Sequence, residues 1–304
     1  VSEMETYPIE ENPYEALTAD LTQRCNMKCS FCYDADQTRP DLSLEYFAEV
    51  CRRVKTPTDK KLLWKFLGGE PTLHPQLFDM IEVAHACGHR VFFSSNGMTL
   101  KLGSSIVDRL KSLPYSVDCG VTMDGGVGHD DIYQEINGQR CAVKKMAALE
   151  ALLWTGKPIY VSAIIVRGVN ECVVGELLTL AKTHHRIAYV HFRPTAQVGR
   201  YLDVKPYSMS ELREMVRPFF TEEEMRPQSK FEIWCPSGDP DCCVRFMPRP
   251  GLQVSLVEFM TPRAALCPKR GKLIDGFRVA PFFEDAMRSA IEHKIEREQW
   301  TSPS

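Results

Sequence analysis

β-rich runs and helical patterns take turns along the first 200 residues, and this alternation restricts the possible folds more than any other feature of the chain. Ala16 to Leu21 reads as a first strand that runs directly into a cysteine-containing loop. A helical pattern follows from Leu42 to Val54, with Asp41 or Ser43 placed to cap it. Leu62 to Leu67 is a short apolar strand ending at Gly68-Gly69; the next helix opens at His74-Pro75 and closes near Gly88. Val91 to Ser95, Val117 to Met123, Ile159 to Val166 and Ala188 to Arg193 read as further strands. Helices over Cys141 to Trp154 and Val173 to Thr183 separate the later ones. Six β/α units in series predict an α/β protein with a parallel sheet and right-handed crossovers.

A doubly wound sheet also satisfies that count, but the distribution of polar residues favours a partial (β/α)6 barrel. The cysteine loop, Gly68-Gly69-Glu70-Pro71, Ser95-Asn96-Gly97 and Asp124-Gly125 each follow a strand. Ligand sites of parallel sheets gather at those C-terminal ends, so the four segments are expected to share one mouth. The barrel is expected over residues 1–200, and a C-terminal cysteine-containing extension over 201–304. Within the extension, Ser208 to Phe220 reads as a helix, Leu252 to Phe259 as a strand and Ala280 to Trp300 as an amphipathic terminal helix.

The chain carries 12 cysteines, which makes its compartment matter. Val1-Ser-Glu-Met-Glu-Thr has neither the basic nor the apolar region of a signal peptide, so a cytoplasmic, reducing location is expected. No apolar run approaches the roughly 20 residues that span a bilayer. A formal charge of −3 gives no electrostatic reason to expect nucleic acid or an anionic membrane as a partner. Cys51, Cys87, Cys119, Cys141 and Cys172 stand alone and read as small buried hydrophobes.

Cys25, Cys29 and Cys32 differ, because they fall within eight residues just past a strand. Three thiolates satisfy three irons of a cubane and leave the fourth open to another ligand. A structural zinc site wants four protein ligands. The group therefore reads as an iron–sulfur site, with unligated thiols as the alternative.

The pattern CxxxCxxC followed by an aromatic residue, with Gly68-Gly69-Glu70-Pro71 after the next strand, resembles the radical S-adenosylmethionine (SAM) superfamily. Val121-Thr122-Met123-Asp124-Gly125, His129-Asp130, Gly168-Val169-Asn170 and Phe192-Arg193-Pro194 resemble its branch of molybdenum-cofactor cyclases and SPASM- or twitch-type peptide maturases. The resemblance implies a [4Fe–4S] cluster on Cys25, Cys29 and Cys32, whose open iron takes the amino and carboxylate groups of S-adenosylmethionine. One electron would then cleave the S–C5′ bond, and the 5′-deoxyadenosyl radical would abstract a substrate hydrogen.

By the same resemblance, the backbone of Gly68 and Gly69, with Glu70, would meet the cofactor's amino group. Tyr33 would lie near the adenine. Ser95, Asn96, Thr122 and Asp124 would face the ribose or the methionine part, and Arg193 the carboxylate. Cap or turn roles for the polar residues, and a structural ion pair for Arg193, are the alternatives. Cys235, Cys242, Cys243 and Cys267 would hold an auxiliary [4Fe–4S] cluster, with zinc or free thiols left open.

The implied function is oxidation, cyclisation or carbon–carbon bond formation on a small-molecule or short-peptide substrate in a biosynthetic pathway. A flavodoxin- or ferredoxin-like protein would donate the electron. SPASM-like maturation of a ribosomal peptide, or a non-catalytic iron–sulfur scaffold or electron carrier, are the alternatives.

Overall fold

A computed structural model describes residues 6–8, 16–32, 40–54, 61–195, 205–225, 243–257 and 273–275. Its short first strand, β1 (Thr6–Pro8), pairs in parallel with the last, β10 (Leu273–Asp275). The main sheet begins with β2 (Ala16–Thr22), β3 (Leu63–Gly68), β4 (Arg90–Ser95) and β5 (Asp118–Thr122). It continues through β6 (Ile159–Ile165) and β7 (Ile187–Pro194). Each of these six strands pairs in parallel with the next, as the alternation requires.

The sheet then goes one parallel strand further than the six expected. β9 (Leu252–Val257) lies parallel to β7, and β8 (Cys243–Arg249) runs antiparallel along its outer side. The order is β2-β3-β4-β5-β6-β7-β9-β8, with β2 and β8 as its two edges among the described residues. The architecture is an open, partial barrel whose last two strands come from beyond residue 200.

Helices α1 (Leu44–Arg53), α2 (Leu77–Ala86), α5 (Ala142–Thr155) and α6 (Cys172–Thr183) occupy the crossovers where helical spacing places them. Ser43 caps α1, accepting from Tyr46 N. α7 (Met209–Val216) opens with a reciprocal capping box between Ser208 and Glu211. Two helices were not anticipated from the sequence, α3 (Ser105–Ser112) and α4 (Asp130–Asn137). Both have eight residues, so each offers only two turns of periodicity to read. The expected terminal helix at Ala280 to Trp300 lies outside the described residues.

Strand alternation builds the core. In β6, Ile159, Val161, Ala163 and Ile165 are buried while Tyr160, Ser162 and Ile164 are half-buried. Phe47 of α1 meets Trp64 and Phe66 of β3 edge-on at 5.1 and 5.3 Å, locking the first helix onto the sheet.

Candidate active site

Thr22 ends β2, and the chain turns into the cysteine loop beside the end of β3. Two backbone hydrogen bonds join them: Gly69 N donates to Thr22 O at 2.7 Å, and Glu70 N to Arg24 O at 2.8 Å. This close approach explains both glycines. A Cβ at Gly69 would sit 2.4 Å from Arg24 O and 2.7 Å from Gln23 O; one at Gly68 would sit 2.4 Å from Thr22 O. Gly68 also has φ +109°, which side chains resist. The far side of the loop is tied to α4, where Ser30 N donates to Ile136 O at 2.7 Å. Met27 is buried against Tyr133, Cys141 and Ala142 and anchors the loop from below.

Two asparagines from different elements reach the thiols. Asn96, after β4, extends its Nδ2 to Cys25 Sγ at 3.7 Å and to Asn26 Oδ1 at 2.7 Å. Asn137, the last residue of α4, donates from Nδ2 to Cys29 Sγ at 3.1 Å and to Asp124 Oδ2 at 3.2 Å. Burial pushes the Cys29 thiol up to about 12, helped by the nearby Asp124 charge and opposed by the Asn137 hydrogen bond. Cys25 is also raised by burial.

Glu70 is fully buried, and its carboxylate organises the mouth from within the protein. Its Oε1 accepts from Thr72 N, from Thr72 Oγ1 at 2.5 Å and from Ser95 Oγ at 2.8 Å; Oε2 accepts from Asn96 N at 2.7 Å. Burial still holds this carboxyl above its ordinary range. Ser95 and Asn96 are thereby fixed relative to the loop after β3.

Asp124 makes the matching tie between β5 and β6. Its Oδ1 accepts from Ile164 N at 2.9 Å, and its carbonyl accepts from Asn170 Nδ2 at 2.7 Å. Thr122 receives the fully buried Lys145, whose Nζ donates to its carbonyl at 2.8 Å and to its hydroxyl at 3.2 Å.

Gly68, Gly69, Glu70, Ser95, Asn96, Thr122 and Asp124 thus converge with Cys25, Cys29 and Cys32 at the C-terminal ends of neighbouring strands. Arg193 lies near the end of β7, in register with Ile164 of β6. Tyr33, Cys235, Cys242 and Cys267 lie outside the described residues, and of Cys243 only the backbone, at the start of β8, is described.

Asn137 and Lys145 were not singled out from the sequence. Faint signals exist: Asn137 precedes the helix-ending Gly138, and Lys145 interrupts an apolar helix face. Among the isolated cysteines, Cys51, Cys119 and Cys141 are buried as expected. Cys87 is only half-buried, and Cys172 departs from the expectation altogether. As the first residue of α6 it lies exposed while Val173 and Val174 turn inward.

Residues 20–181 match the radical SAM superfamily, more than half of the chain. The chain belongs to that superfamily. Members of the radical SAM superfamily are enzymes that use a [4Fe–4S] cluster and S-adenosylmethionine. A probable GTP 3′,8-cyclase from Methanothermobacter marburgensis is 23% identical over 246 residues, covering 76% of each chain. The mycofactocin maturase MftC of Mycobacterium tuberculosis is 27% identical over 192 residues, 62% of this chain and 46% of the maturase. The structure of Streptococcus suis SuiB bound to precursor peptide SuiA superposes with TM-score 0.56 at 17% identity, over 71% of this chain and 46% of SuiB. That last likeness is one of fold. The chain spans less than half the length of MftC and of SuiB.

The residues present suit the superfamily's cluster. Cys25, Cys29 and Cys32 present three thiols from one loop, a donor set that leaves the fourth iron of a cubane open. Asn137 Oδ1 is buried without a hydrogen-bond partner among the described residues, an acceptor beside Cys29 for a donor on a bound group. No helix among the described residues is long and apolar enough to cross a membrane.

Proposed function

We propose that this protein is a radical SAM enzyme of biosynthesis that abstracts hydrogen from a small molecule or a short peptide, leading to oxidation, cyclisation or carbon–carbon bond formation. The observation that carries the reading is the meeting of the three-cysteine loop with the Gly68-Gly69-Glu70 segment through two backbone hydrogen bonds. When bound, the cluster and S-adenosylmethionine supply reductive cleavage of the S–C5′ bond and a 5′-deoxyadenosyl radical. The protein's part is to hold and orient. Cys25, Cys29 and Cys32 serve as ligands, and the Gly68-Gly69 backbone, with Glu70, meets the amino group. Tyr33 takes the adenine, and Arg193 pairs with the carboxylate. Ser95, Asn96, Thr122 and Asp124 line the ribose and methionine side, with Glu70 and Lys145 bracing them from within.

The named relatives include a probable GTP 3′,8-cyclase and a mycofactocin maturase, and the fold neighbour SuiB is solved with a precursor peptide, so both substrate classes stay in the proposal. Cys235, Cys242, Cys243 and Cys267 are proposed to hold an auxiliary [4Fe–4S] cluster in a region expected from residue 201 onward. A flavodoxin- or ferredoxin-like protein is proposed as electron donor.

The test is 5′-deoxyadenosine formation by anaerobically reconstituted protein given dithionite and S-adenosylmethionine. Slow formation that vanishes in Cys29→Ala is expected, and acceleration by added compounds then identifies the substrate. A fully loaded, reducible cluster that yields no product would favour an electron carrier instead. Iron content that is unchanged by Cys235→Ala and Cys267→Ala would remove the auxiliary cluster.

A further inference from the structure

His129, Cys172 and Glu176 converge apart from the cysteine loop, at the mouth end of β5 and β6. Cys172 and Glu176 stand four residues apart at the start of α6 and so face the same side. His129 comes from the turn that follows β5 and directly precedes α4. One ligand atom of each residue lies within 4.8 Å of the other two. Glu176 is fixed in place: Oε2 accepts from Val127 N at 3.0 Å, while Oε1 pairs with His129 Nε2. The turn is shaped around this carboxylate, since Gly126 has φ +60° and a Cβ there would meet Oε2 at 2.2 Å. The thiol of Cys172 is exposed, which leaves one side of the group open to solvent.

We propose that His129, Cys172 and Glu176 form a site for a zinc-type divalent cation with an open coordination position. An imidazole nitrogen, a thiolate and a carboxylate oxygen are each zinc ligands, and three protein ligands with one open position is the pattern of reactive zinc sites. The nitrogen and sulfur donors disfavour magnesium and calcium, which prefer oxygen. Coordination requires rotation of the Cys172 side chain and replaces the His129–Glu176 hydrogen bond with two metal bonds, the two ligand atoms moving slightly apart. The competing reading is a hydrogen bond between His129 and Glu176 that merely braces the turn, with Cys172 idle. The proposal stands independently of the iron–sulfur chemistry, since it shares no residue with that site.

Site-resolved alkylation separates the two. Cluster-loaded protein is treated with iodoacetamide with and without Zn(II), and modification of the Cys172 peptide is followed by mass spectrometry. Zinc should slow that modification about tenfold when its free concentration is ten times the dissociation constant. The protection should disappear in His129→Gln and Glu176→Gln, each retaining wild-type iron content. Equal rates with and without zinc in the unaltered protein overturn the proposal, as does protection that survives both substitutions.

Discussion

At the scale of single residues, what the site asks of Asn137 is a hydrogen bond to a ligand sulfur. Its Nδ2 lies 3.1 Å from Cys29 Sγ in a buried setting. Hydrogen bonds to cluster sulfurs stabilise the reduced, more negative state and so raise the potential. One such bond at about 1 kcal/mol corresponds to about 40 mV for a one-electron couple. Asn137→Leu should therefore lower the midpoint potential by about 40 mV, read by an EPR-monitored redox titration, while iron content stays constant. An unchanged potential would mean the amide serves only Asp124. Gly69 makes the second prediction. A methyl group there meets two carbonyl oxygens of the backbone, which cannot step aside as a side chain could. Gly69→Ala should push the cysteine loop away from β3, so that bound iron falls on reconstitution while the far-ultraviolet spectrum holds. The glycine pair was legible in the sequence, but as a feature facing a ligand. Its demand for close approach to Gln23 and Arg24 depends on two strands lying side by side, which no local pattern encodes.

Among the elements, α7 is the one whose start is written most fully in its residues. Ser208 and Glu211 exchange hydrogen bonds across the first turn, and Arg167 from the β6–α6 connection adds an ion pair to Glu211. Ser208's backbone and hydroxyl, then Arg167, hold the Glu211 carboxyl down to about 2 from its ordinary 4.5. A depressed carboxyl contributes stability above its unfolded value and loses it as the pH falls through its folded one. The stability advantage of the wild-type protein over Glu211→Gln should thus be full above pH 4.5 and shrink as the pH falls toward about 2. Thermal unfolding of the two proteins across that range checks it; a gap that widens in acid would refute the assignment. The same scale exposes where sequence reading stops. α1, α2, α5 and α6 announce themselves by long apolar spacing, whereas α4 has only Ile132, Tyr133 and Ile136 as its buried apolar residues, and follows a glycine-rich turn. Yet α4 delivers both Asn137 and the Ile136 carbonyl to the cysteine loop.

Across the whole molecule, β9 and β8 decide how the sheet ends. Tyr189 to Phe192 of β7 pair with Gln253 to Leu256 of β9, and β8 covers β9 in turn. A chain cut after residue 200 would leave β7 as a bare edge, a template for association between copies. Such a truncation should elute as oligomers in size-exclusion chromatography, while a chain ending after residue 257 should not. If the shorter chain stays monomeric, the six-strand barrel is self-sufficient. The alternation of strands and helices, the three closely spaced cysteines and the Gly-Gly-Glu-Pro segment were set by the sequence alone, because periodicity and ligand spacing are local properties. Only the tertiary structure decided that Glu70 braces the mouth from within, that Asn137 reaches Cys29, and that His129 meets Cys172 and Glu176. Those contacts join residues 25 to 108 positions apart, and nothing in the local chain chemistry specifies which distant strand end will become a neighbour.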